Sequence, residues 1–195
     1  MTAPIKLNFQ VYQGSTFKQI LRWESATKVY VPIIDVSKSA PIRITAPGHN
    51  IPEGWRVRVS NVSGMKEINT GDLYYQATVE DANIIQLNAI NSLSYTPYVS
   101  GGVVEYNAPV ALAAVTGVLK IAENIGSTNL LYEATSQNGG IIINAATNQI
   151  ILNIPASVTS TFNFLKAVFE LSLVSAGDVI PFAAGLIYVE RGVSA

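Results

Sequence analysis

The chain has 195 residues, of which 13% are charged and 49% hydrophobic, against about a quarter charged in ordinary soluble domains. Its twelve basic and thirteen acidic residues nearly cancel, which excludes the electrostatic footprint needed to wrap nucleic acid or grip an anionic membrane. Cysteine is absent, and with it disulfides, thiolate metal sites, thioester chemistry and cysteine nucleophiles.

The length suffices for one large β-domain or two small ones, each able to bury a core without covalent staples. The opening MTAPIKLNFQ carries one lysine and no apolar run of signal-peptide length, so synthesis in a bacterial cytoplasm is expected. From the start, Leu7, Phe9 and Val11 alternate with Lys6, Asn8 and Gln10, the period of a strand with one buried face. A turn at Gln13 and Gly14 leads to a second strand, with Phe17, Gln19 and Leu21 on one face, running into Trp23. Val29 to Ile34 is β-branched but broken by Pro32, whose missing donor suits an edge or a strand end.

Between Ser39 and Tyr106 the sequence reads as a compact β-module. Ile42 and Ile44 form one apolar face, and Trp55, Val57 and Val59 a second. The intervening PGHNIPEG collects turn-forming residues. Tyr75, Ala77 and Val79, then Ile85 and Leu87, then Val103 with Glu105, complete a spacing suited to a small barrel or sandwich. Beyond Asn107, the Ala-rich stretch from Pro109 allows a short helix, whereas Gly117 and the alternation of Val118, Lys120 and Ala122 point to a strand. GGIIIN and TNQIILNI flank a small-residue turn and predict a hairpin that Pro155 stops. ASVTSTFNFL then allows one helical turn or an ordered loop. AVFELSLVS and VIPFAAGLIYVE predict a closing hairpin around an AGD turn; the second stretch is short of the roughly 20 residues a spanning helix needs.

The expected fold is therefore all-β: an outer β-sandwich made of residues 1–38 and 107–195, interrupted by a small barrel-like module at 39–106. An exposed loop tolerates such an insertion because closure entropy grows slowly with loop length.

Groups suited to catalysis are sparse. His49 is the sole histidine, so a two-histidine metal site within the chain is impossible, and its Gly48 and Asn50 neighbours suggest a mobile turn. Glu53, Glu67, Asp72, Glu80 and Asp81 are numerous enough for a glycosidase pair, yet each sits in a turn-like context where solvated carboxylates are ordinary. Asp81, Asn83 and Asn88 lack the ligand ladder and closing bidentate Glu of a calcium loop, which leaves a turn with Asx hydrogen bonds. No phosphate-cradling loop, dinucleotide fingerprint or nucleophile elbow occurs. Neither catalytic residues, a metal nor a cofactor is expected.

The central module resembles a small β-domain of tailed-phage structural proteins that is itself similar to the first catalytic-cysteine half-domain (FCCH) of ubiquitin-activating enzymes. The residues that carry the likeness are Pro47 to Asn50, Gly54 to Val59, Gly64-Met65, Ile68-Asn69, Val79 to Asn83, Leu87 and Tyr98 to Gly102. Without cysteine the likeness brings no ubiquitin chemistry. The outer segments resemble the N-terminal β-sandwich of upper-baseplate proteins of phages infecting Gram-positive bacteria. Here the likeness rests on Tyr12 to Phe17 with Trp23, on Gly139 to Ile141, and on Val168 to Leu171 with Gly185 before the closing strand. Val168-Phe169-Glu170-Leu171 stands where that family carries Tyr-Asp-Leu.

These resemblances imply a non-enzymatic bacteriophage virion protein, an adaptor in the tail, neck or baseplate. Its implied partners are other virion proteins and further copies of itself, not nucleic acid or membrane. A capsid decoration protein, or a receptor- or carbohydrate-binding tail module, would use the same scaffold. Tyr95 and Tyr98, in a Ser- and Pro-containing loop, and Phe162 and Phe164 are the candidate interface residues, because aromatic rings give large contact area at low entropy cost. Each pair has an alternative role in covering the end of its own domain.

Overall fold

A computed structural model describes residues 3–192 and is almost entirely β. The chain divides into two compact units: Met1–Trp23 with Ala111–Ala195, and Glu24–Val110. The second is nested within the first, but its boundaries lie outside the expected 39–106. Residues 24–38 belong to the inserted unit because their strands pair within it, a long-range fact that local alternation does not carry.

In the outer unit one sheet runs β1 (Ile5–Tyr12), β15 (Asp178–Glu190), β14 (Lys166–Ser175), β10 (Thr116–Ala122), β11 (Leu130–Thr135). A second runs β12 (Ile141–Asn144), β13 (Gln149–Ile154), β2 (Phe17–Leu21). Phe9 of the first sheet meets Phe17 of the second with ring centroids 5.5 Å apart and stacks on Phe169 at 4.6 Å, so the two inner faces share one sandwich core. The Ala-rich stretch before Thr116 forms no helix: β10 is the strand that the alternation around Lys120 predicts. After Pro155 the chain makes a single helical turn, α1 (Ala156–Thr159), whose Thr159 hydroxyl donates to the Ser15 carbonyl at 2.7 Å.

The closing hairpin turns on Ala176 and Gly177, both at positive φ (51° and 90°), the requirement of a two-residue turn matching strand twist. Pro181 sits where the β14–β15 register slips and before β1 begins to pair, so its missing N–H removes no regular ladder bond. Gly185 lies inside β15 and not before the closing strand: it faces Leu7 of the parallel β1, where a Cβ would come within 1.6 Å of the Leu7 carbonyl oxygen.

The inserted unit is one seven-stranded sheet. Its order is β3 (Glu24–Pro32), β9 (Ser100–Pro109), β6 (Arg56–Ser63), β7 (Tyr75–Val79), β8 (Ile84–Leu87), β5 (Ile42–Thr45), β4 (Asp35–Val36). Its two edges, β3 and β4, come from one continuous segment. Ile33 N–H bonds the Gly102 carbonyl on one side and Ile34 N–H the Thr45 carbonyl on the other, both at 2.9 Å. The chain thus passes from edge to edge around a core of Ile42, Ile44, Trp55, Val57, Ile85 and Leu87, all fully buried. The ladder itself does not close, because β3 and β4 do not pair, so the barrel-like expectation gives way to an open sheet bridged at its edges. Pro32 ends the edge strand, as its lost donor suggested.

Candidate functional site

A dense polar cluster is built on the outer face of β3, β9 and β6. In β9, Val104 and Tyr106 point into the core, so the period of two turns Glu105 the other way. Register places Tyr30, Glu105 and Arg58 in one cross-strand row. Glu105 is nevertheless only 1% exposed, because neighbouring side chains cover it. Lys28 Nζ pairs with its Oε1 and Arg58 Nη2 with its Oε2, while the Tyr74 hydroxyl donates to Oε1 at 3.4 Å. Arg58 also reaches Asp72 at 3.4 Å. Beside them, Arg56 Nη2 lies 2.7 Å from Glu24 and its guanidinium sits 5.2 Å from the centre of the Tyr74 ring. The Asn107 amide donates to Glu24 at 3.3 Å.

Burial pushes the Glu105 carboxyl up, and the bonds from Lys28 and Arg58 together outweigh it, leaving the group below its usual range. The same contacts raise Lys28 and Arg58, chiefly through the hydrogen bond to Glu105. A carboxylate held ionised in this way is the opposite of a general acid tuned towards neutral pH. Its chemistry is that of a clasp joining the edge strand β3 to the middle of the sheet.

The residues expected at an interface lie elsewhere. Tyr95 and Tyr98 are half-buried against the inserted unit's own core, and the Tyr98 hydroxyl donates to the carbonyls of Gly101 at 3.0 Å and Ile33 at 3.2 Å. Phe162 is buried in the sandwich core, with Phe164 at 5.1 Å and Tyr132 at 5.6 Å between centroids. It caps its own domain and has no free surface to offer a partner; Phe164 packs beside it, partly covered.

His49 occupies a turn, but a pinned one. It is 2% exposed, its Nδ1 accepts the Ile51 N–H at 2.9 Å, and Nε2 therefore carries the proton donated to the Asp81 carbonyl at 3.0 Å. The Tyr106 hydroxyl, whose titration burial pushes up, donates to the His49 carbonyl at 2.6 Å. The module's other carboxylates are similarly engaged. Glu53 accepts from Val79 N–H at 2.7 Å, Glu67 from Thr96 N–H and hydroxyl at 2.9 Å, and Glu80 pairs with Arg43 at 2.8 Å. Asp81 makes the anticipated Asx turn, accepting from Asn83 and Ile84. Among the described residues no group of acidic or histidine side chains is arranged to hold a metal ion.

Trp55 is fully buried and has no face free for sugar stacking, while Trp23 is partly buried, edge-on against Phe182 at 5.9 Å. Each unit presents a tyrosine ring, Tyr12 on the outer and Tyr30 on the inserted one, and several aliphatic side chains. Ile125, Val179 and Leu165 stand out from the outer unit, and Val99, Leu73 and Ile34 from the inserted one, each more than half exposed. Sequence reasoning missed the loop residues among these because an isolated apolar residue in a loop carries no periodic signal, and Val179 because it lies in an apolar strand segment that reads as core. No protein-family model matches the chain, and no curated protein matches it.

Proposed function

We propose that the protein is a non-enzymatic virion component of a tailed bacteriophage, an adaptor in the tail, neck or baseplate that acts by shape-complementary association. The observation that carries this reading is the presence of two separate hydrophobic cores in one nested chain, each unit displaying its own exposed aliphatic side chains. Two independently packed units supply two contact faces, which is what a connector needs. The sequence resemblances described above supply the phage assignment. Further support comes from the polar clusters, whose carboxylates are spent on strand pairing and turns. Partners in this reading are other virion proteins and further copies of the chain.

Immunogold electron microscopy of purified virions with antibody against this chain tests the proposal. Gold confined to tail, neck or baseplate supports the adaptor. Gold over the whole head makes the protein capsid decoration, and unlabelled virions overturn the assignment.

A further inference from the structure

The outer face of the five-stranded sheet in the sandwich unit carries two contrasting rows of side chains. Register aligns Lys6, Ala184, Glu170, Lys120 and Glu133 straight across β1, β15, β14, β10 and β11. The next row in the same direction is Asn8, Leu186, Val168, Ala122 and Leu130. Most of both rows lines a shallow groove of about 560 Å³, and the loop that follows β10 raises Ile125, 93% exposed, at its rim. Among the described residues, none of the four charged groups in the first row takes part in an ion pair within the chain. An apolar strip edged by such charges, with the Glu170 carboxylate accepting only the Ser172 hydroxyl, at 3.4 Å, among the described residues, has the composition of an interface with its rim.

The charge order identifies the occupant. We infer that this face is a two-fold interface between two copies of the chain, related by an axis that runs along the strands between β14 and β10. Such an axis reverses the order of strands but keeps each row opposite itself. Glu170 of each copy then faces Lys120 of the other, twice over. In the apolar row Val168 meets Ala122 and Leu186 meets Leu130. The Ile125 loop, at the β10–β11 end, stands over the partner's β14–β15 end, where Leu186 lies. An axis laid across the strands would set Lys120 against Lys120 and Glu170 against Glu170, so charge selects the first arrangement. Face-to-face sheets of this kind keep their strands within about 30° of one another, which preserves the row-on-row match. The inference deepens the proposed building-block role and rests on it only for the expectation that copies meet.

Sedimentation velocity on the purified chain tests the interface. The wild type is expected to show the mass of two 20.9 kDa chains, shifting to one on dilution. Lys120→Glu and Glu170→Lys should each sediment as single chains, because each sets like charges against like. An equimolar mixture of the two should recover the dimer, since one copy then presents only acid at these positions and the other only base. Mixing cannot repair an effect confined to one chain, although Lys120 and Glu170 are also cross-strand neighbours, so recovery isolates the contact between copies. Ile125→Asp should raise the dissociation constant about tenfold or more, as expected for a buried aliphatic anchor. A single-chain mass for the wild type at the highest soluble concentration, or variants that fail to recombine, overturns the inference. These results stand apart from where gold labels a virion, so the dimer and the phage assignment fail separately.

Discussion

The two units solve the same stability problem with different interactions. The ion pairs that join Lys28 and Arg58 to Glu105, Arg58 to Asp72, Arg56 to Glu24 and Arg43 to Glu80 all lie within the inserted unit. The sandwich instead concentrates aromatic rings: Phe9, Phe17 and Phe169 in one stack, and Phe162, Phe164 and Tyr132 in another. Lys6, Lys120, Glu133 and Glu170 on the sandwich's outer face take no part in those ion pairs, whereas the inserted unit spends its charges on its own strands. The difference teaches that a chain poor in charge can still be locally electrostatic, provided the charges converge on one sheet face. It also predicts that the units answer differently to mutation, acid and salt.

The largest effect should come from the sandwich core. Phe169 is 3% exposed and stacks on Phe9, so Phe169→Ala removes a buried ring from both sheets' shared core and should cost about 3–5 kcal/mol. Hydrogen exchange followed strand by strand should show that loss in β1, β10, β14 and β15, with the inserted unit's amides unchanged. Equal loss of protection in β5 to β8 would show that the two units unfold as one and would break the comparison.

Glu105→Gln is the counterpart in the inserted unit. The amide keeps the shape but leaves Lys28 and Arg58 facing a neutral group, and removing one partner of a buried ion pair costs about 3 kcal/mol. The cost should fall at the lower end of the range for such pairs, because both cations retain access to water and can rehydrate. Exchange should accelerate first in the edge strand β3. A variant as stable as the wild type would mean that the carboxylate's desolvation already cancels its pairing.

Acid should separate the units without mutation. The folded-state pKa of Glu105 lies below its ordinary value of 4.5, so its contribution is complete above that pH and is lost as pH falls through the lower folded value. Glu67 shifts in the same direction, chiefly because the Thr96 N–H hydrogen-bonds its charged form. Both groups belong to the inserted unit. Exchange compared at pH 7 and at about pH 3.5 should therefore show the inserted unit losing protection before the sandwich. Simultaneous loss in both would assign acid sensitivity to overall charge instead of these two carboxylates.

Much of this arrangement was legible in the sequence where information is local. Alternation located the core faces of β1, β2, β5, β6 and the closing hairpin, and Pro32 marked an edge. The boundary at Glu24 was not legible, because it depends on β3 pairing with β9 across the inserted unit. Glu105 was hidden for a related reason. The sequence groups Glu105 with Val103 on one strand, whereas Val104 and Tyr106 are the residues that face the core, and only the arrival of Lys28, 77 residues away, with Arg58 and Tyr74 buries the carboxylate on the opposite face. His49 looked mobile between Gly48 and Asn50, because the Asp81 carbonyl that pins it is remote in sequence. The aromatic interface candidates failed at Phe162 on a general point: an aromatic ring near a loop fills its own domain's end wherever space allows, and sequence does not show that space.

The smallest effect tests whether burial or mere pairing distinguishes the inserted unit. Arg43 and Glu80 form nearly as close a pair as Arg56 and Glu24, at 2.8 Å against 2.7 Å, but the Arg43 side chain is 52% exposed and Glu80 is 34% exposed. Water already solvates both partners, salt screens their attraction, and ordering two long side chains opposes it. Arg43→Ala should therefore cost no more than about 0.2–1 kcal/mol, and less at high ionic strength. Urea denaturation of this variant beside Glu105→Gln measures the contrast within one sheet. If Arg43→Ala proved as costly as Glu105→Gln, position under a covering Tyr74 and Arg58 would not be what strengthens the clasp, and ion pairing throughout the inserted unit would have to be treated as one network.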